Sequence, residues 1–151
     1  MTRFTMNMRA LLAASLFALG ACASTQRTLS YNAGYPDADV FVDNQRFQIW
    51  FHDTDQTVLV QRGDPQPLRS LLAQNATIYS SDRALGPLWW GAAANAVLMQ
   101  IGCYGAEVRG EDQPQVREIA YTCPDPVDVD AQVAERREAW RRGVRVAAPQ
   151  G

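Results

Sequence analysis

Residues 84–106 form a run of 23 without a charged side chain, and such a run must be hidden from water, either in a membrane or in a protein core. A spanning helix takes about 20 consecutive apolar residues. Here Gly86, Pro87, Gly91, Asn95, Gln100, Gly102 and Gly105 interrupt the run, which leaves about 15 residues that read as helix, short of a span. Pro87 suits the first helical position, where a missing N–H costs nothing, and Gly102 suits the residue just past the end. The reading is a buried core helix over 87–101. Its Gly91, Ala92, Ala93, Ala94 and Ala96 would let it lie close against a sheet.

The strands for that sheet flank the helix. Before it, 38–42, 46–52 and 57–61 are β-like runs split by Asp43-Asn44-Gln45 and Asp53-Thr54-Asp55-Gln56. In the second run Phe47, Ile49 and Phe51 alternate with Gln48, Trp50 and His52, the period-2 pattern of a half-buried strand. An antiparallel meander follows. Leu68, Leu71 and Leu72 recur at helical spacing, with Asn75 placed to close a short helix. After the core helix, 104–110 and 115–122 have strand character around the turn composition of Gly110-Glu111-Asp112-Gln113-Pro114. The fold expected is α+β: an antiparallel sheet, made of a three-stranded meander and a disulfide-closed C-terminal hairpin, packed with one main helix. The globular domain is read as 38–123. Pro124 and Pro126 stop the sheet, and a helix capped by Asp130 and running to about Arg142 has only Val133, Ala134 and Trp140 as a thin apolar stripe. Residues 124–151 are therefore expected to be a helical appendage with a frayed end.

The N-terminus carries an address. Arg3 and Arg9 are the only charges in residues 1–21, and an apolar run over 10–17 leads to Leu19-Gly20-Ala21-Cys22, the layout of an export signal. These four residues resemble the lipobox of bacterial lipoproteins. That resemblance implies a diacylglycerol thioether on Cys22, cleavage of the signal peptide before it, and acylation of the new amino group with a chain such as palmitate. Ala23 after the cysteine, rather than Asp, implies the outer membrane, facing the periplasm. Cleavage after Ala23, which Ala21-Cys22-Ala23 also permits, would instead release a soluble protein. Residues 22–37, rich in Ser, Thr, Gln, Asn and Gly, read as a flexible tether.

All 14 basic residues of the chain are Arg. Removing the signal leaves 12 basic against 16 acidic groups, so the mature protein has no electrostatic reason to bind nucleic acid or anionic lipid. Membrane contact would come through the lipid on Cys22, and several acyl chains make such attachment effectively permanent.

If lipid takes Cys22, Cys103 and Cys123 remain, in an oxidising compartment where bridges persist. A hairpin turn centred on Gln113 sets Cys103 directly opposite Cys123. A bridge across the open end follows, worth on the order of 3 kcal/mol in the chain-entropy model. A redox pair or a metal site are the alternatives, but there is no C-x-x-C and only one His. A helix ending in Gly102-Cys103 before a hairpin ending in a second cysteine also resembles small lipoproteins of alphaproteobacteria over 38–123, a likeness that brings no activity with it.

Material for chemistry is sparse. His52, Asp53 and Asp55 form the only His-carboxylate cluster, at a strand-to-turn boundary where such residues commonly build the turn. Val58 and Asp64 stand where a calcium loop needs Gly and Glu. Ser70, Ser80 and Ser81 lack a nucleophile elbow, and no P-loop, dinucleotide motif or H-E-x-x-H is present. No catalytic residue, metal site or cofactor is assigned. Of Trp50, Trp89, Trp90 and Trp140, the adjacent pair reads as one core and one rim residue. The expected function is a non-catalytic, lipid-anchored interaction or envelope-maintenance module with a possible envelope-protein partner. The alternative is a small periplasmic enzyme or ligand binder with its site near Trp50 and His52.

Overall fold

Six strands and two helices follow one another along the chain: β1 (Ala38–Val42), β2 (Gln45–Phe51), β3 (Thr57–Arg62), α1 (Pro87–Leu98) with a 3-10 turn (Met99–Ile101), β4 (Tyr104–Arg109), β5 (Val116–Thr122), α2 (Val129–Arg141) and β6 (Val144–Val146). A computed structural model describes Arg27, Ser30, Tyr31 and residues 34–64, 86–109 and 116–150. The chain divides between Ser30 and Tyr31, and every element named lies in the part beginning at Tyr31. The short helix expected around Leu68–Leu72 falls outside the described residues.

The strands form one sheet in the order β4-β5-β3-β2-β1-β6. The meander and the hairpin are both present, and β5 joins them by pairing antiparallel with β3. The sheet is mixed rather than purely antiparallel, because β6 runs parallel to β1 with Val40 opposite Val144. The correction follows from α2, which carries the chain from β5 to the far edge of the sheet, where β6 joins β1. β1 turns into β2 through Asp43 and Asn44, and Asp43 takes the left-handed conformation at φ 53°, which Asp tolerates better than most residues.

Alternation sorts the strands into two faces. Ala38, Val40, Val42, Phe47, Ile49, Phe51, Val58, Val60, Ile119 and Tyr121 form one apolar face that shares a core with Trp90, Ala93, Ala94, Val97 and Leu98 of α1. Pro87 is the first residue of α1 and Gly102 closes the 3-10 turn at φ 77°, as the proline and glycine signals required. Trp90 is in the core and Trp89 packs at its margin. Asn95, the one polar side chain within α1, accepts the Gly105 N–H at 2.7 Å. A Cβ on Gly105 would stand 3.0 Å from the Ile119 side chain of β5, so any larger residue there would press on the neighbouring strand. Among the described residues no helix is long and apolar enough to cross a membrane.

Cys103 and Cys123 are bridged, with Cα atoms 4.2 Å apart, the close spacing of a non-hydrogen-bonded pair. Tyr104 faces Thr122 and Gly105 faces Tyr121, the register that a turn centred on Gln113 demands. A bulge between Gly105 and Glu107 then shifts the register by one.

The C-terminal segment is not an appendage. Val133 and Trp140 of α2 are buried in the common core, with Phe51 stacked on Trp140 at 5.9 Å, and β6 adds an edge strand beyond β1. Two large side chains pointing inward suffice, even on a helix with few apolar residues. Its N-cap is Asp128, whose carboxylate accepts the Ala131 N–H at 3.0 Å, rather than Asp130. Part of the segment read as a flexible tether is also built into the fold, since Tyr31 and Asp37 are buried.

Candidate functional site

The second face of the sheet carries the residues singled out from sequence. β2 turns Gln48 and Trp50 away from the helices, and its alternation continues into His52. Trp50 lies opposite Leu59 of β3, and both are buried in a cluster with Tyr31, against which Val116 packs. The Trp50 indole N–H donates to the Gly34 carbonyl at 3.1 Å. The Tyr31 hydroxyl donates to the Glu118 carboxylate at 2.6 Å and lies 2.8 Å from the Thr57 hydroxyl. Its ring meets the His52 imidazole edge-on, with centroids 4.8 Å apart. The structure thus brings Trp50 and His52 together through Tyr31.

His52 is committed to the turn that follows it. Its Nδ1 accepts the Asp55 N–H at 3.0 Å and the Thr54 N–H at 3.3 Å, so the lone pair is on Nδ1 and the proton of the neutral ring is on Nε2. The Asp55 carboxylate stands 3.9 Å from Nδ1. The arrangement orders the Asp53–Asp55 turn with the nitrogen that a base would need.

Next to Trp50 runs a row of polar side chains in cross-strand register: Asp39, Gln48 and Gln61, all buried. Arg46 grips Asp39 with Nε at 2.9 Å and Nη2 at 2.6 Å, and reaches Asp64 at 2.9 Å. Hydrogen bonding to Asp39 raises the Arg46 pKa against the opposing effect of burial, so the guanidinium stays charged there. Gln48 donates weakly to Asp39 and Gln61 donates to the Arg62 carbonyl. Their Oε1 atoms are buried acceptors with no donor among the described residues.

The segment after Tyr31 is fastened from a distance. Arg137 of α2 donates to Asp37 at 2.8 Å, Asp37 also accepts the Phe51 N–H at 3.0 Å, and Arg141 donates to the Pro36 and Tyr35 carbonyls. Two of the arginines near the end of α2, Arg137 and Arg141, are therefore turned onto the protein's own N-terminal strap. Sequence reasoning missed Tyr31, Thr57, Glu118 and this clasp. The available signals were an isolated aromatic residue in a polar stretch and a glutamate at an outward position inside a strand.

Cys22 with its lipobox, and Ser70, Ser80 and Ser81, lie outside the described residues. Among the described residues no group of three or more His, Cys, Asp or Glu side chains is placed to hold a metal ion. In comparisons with known proteins, no family model, curated protein or solved structure matches this chain.

Proposed function

We propose that this chain is a lipid-anchored lipoprotein of the bacterial outer membrane, facing the periplasm and acting as a non-catalytic interaction or envelope-maintenance module. The observation that carries the reading is the Cys103–Cys123 bridge. Such bridges persist in oxidising compartments, and this one accounts for two of the three cysteines. The third, Cys22, follows an apolar run in the Leu19-Gly20-Ala21-Cys22 sequence. The non-catalytic part of the reading is supported by the use of the His52 Nδ1 lone pair on the backbone of its own turn, which engages one nitrogen of the chain's single imidazole in structure. Metabolic labelling with palmitate tests the anchor: the wild-type chain takes the label and Cys22→Ser does not. Label retained by Cys22→Ser would sink the reading.

A further inference from the structure

The Tyr31 contacts follow the chemistry of peptide recognition. One side chain is read in detail: a phenol ring lies in a socket of Trp50, Leu59 and His52, and its hydroxyl is held by Glu118 and Thr57. Gly34, Tyr35 and Pro36 are held through main-chain carbonyls, Gly34 by the Trp50 indole and the other two by Arg141, and Asp37 is held through its carboxylate by Arg137 and the Phe51 N–H. Any extended segment presents such carbonyls, whereas only tyrosine presents a donor to a carboxylate at that depth. Tyr31, Gly34, Tyr35 and Pro36 precede β1, and the pairing with β2 begins at Asp37, whose N–H donates to the Ile49 carbonyl, so exchange up to Pro36 breaks neither a strand nor the bridge.

We propose that the socket formed by Trp50, Leu59, His52, Thr57 and Glu118 is a docking site for a tyrosine carried on an extended segment of a partner protein, occupied in cis by the chain's own Tyr31. The proposal rests on reading the domain as an interaction module, and it supplies the partner chemistry that reading lacks. A tethered occupant competes at an effective concentration in the millimolar range for a short linker, about the level a free peptide must exceed to displace it. The site is therefore closed by default, and a partner gains access by exchange with the strap. Exchange would uncover Trp50 and Leu59 at the moment the partner covers them.

The test uses the full chain and a fluorescent synthetic peptide with the sequence of residues 30–37, Ser-Tyr-Asn-Ala-Gly-Tyr-Pro-Asp, read by polarisation. Tyr31→Ala, which empties the socket, should bind it at least about tenfold more tightly than the wild type. The same peptide with Phe in place of the first Tyr should bind Tyr31→Ala about tenfold more weakly, because the bond to a charged acceptor is gone. Tyr31→Phe keeps the ring and loses the hydroxyl, so it should lie between the wild type and Tyr31→Ala. If Tyr31→Ala does not fold, this second variant decides the matter. Binding no stronger than wild type in a variant with an intact bridge and native circular dichroism would overturn the proposal. Equal binding of the Tyr and Phe peptides would overturn it as well, leaving Tyr31 as a fixed part of the core. Neither readout depends on lipid, so failure here and failure of palmitate labelling are distinguishable.

Discussion

β2 presents Phe47, Ile49 and Phe51 to one side and Gln48, Trp50 and His52 to the other, and the two sides are satisfied differently. On the helix side the contacts are mainly apolar: α1 contributes small residues and Trp90, α2 contributes Val133 and Trp140, and aromatic rings fill the space between them. On the opposite side each contact is specific, with Arg46 on Asp39, Tyr31 on Glu118 and the Trp50 indole on Gly34. Burial without direction stabilises a fold. Directed bonds between buried polar groups return only about 0.5–1.5 kcal/mol each after desolvation, somewhat more to a charged partner, and they add selectivity for the group that fits.

The largest way to break this contrast is to remove the helix-side cover. A chain ending at Pro124 loses α2 and β6, exposing Phe51 and the β1 edge. Trp140 alone is worth about 3–5 kcal/mol when truncated to Ala, a large share of the 5–15 kcal/mol typical of a domain. We expect the shortened chain to lose its cooperative thermal transition, and a melting midpoint near the wild-type value would refute the assignment of α2 to the core. Next in size is the bridge. Replacing Cys103 and Cys123 by Ser should cost about 3 kcal/mol in urea unfolding, from the 20-residue separation it closes, with no change on the Tyr31 side. The sharpest comparison uses neighbours on β3. Val60→Ala, on the helix side, should cost about 2 kcal/mol. Gln61→Leu removes a buried acceptor that has no donor among the described residues, so it should change stability by less than about 0.5 kcal/mol or raise it. Equal losses at the two positions would mean that the faces do not differ in kind.

Much of the helix side was legible because its signals are local. The proline and glycine bounding α1 and the alternation in β2 each fix a feature within a few residues, and Cys103 and Cys123 are joined across a single hairpin. The bulge at Ala106 was not legible, since its register shift depends on how β4 lies against α1 through Gly105 and Asn95. β6 was missed because Val144, Arg145 and Val146 are too few for a period to show, and their partner is β1, far back in the chain. Asp130 and Asp128 are equivalent as caps in composition, and only backbone geometry selects Asp128. The strap was misread for the opposite reason. Ser, Asn, Gly and Pro around Tyr31 have the composition of a linker, while the groups that hold it come from β2, β3, β5 and α2.

The parallel pairing of Val40 with Val144 has a kinetic side. A contact joining positions so distant in sequence closes a long loop before it is rewarded, which slows folding. The sheet cannot acquire its last strand until Val144–Val146 have been delivered. On the proposed export route this delay is useful, because a chain that cannot finish folding early remains threadable until β6 has crossed.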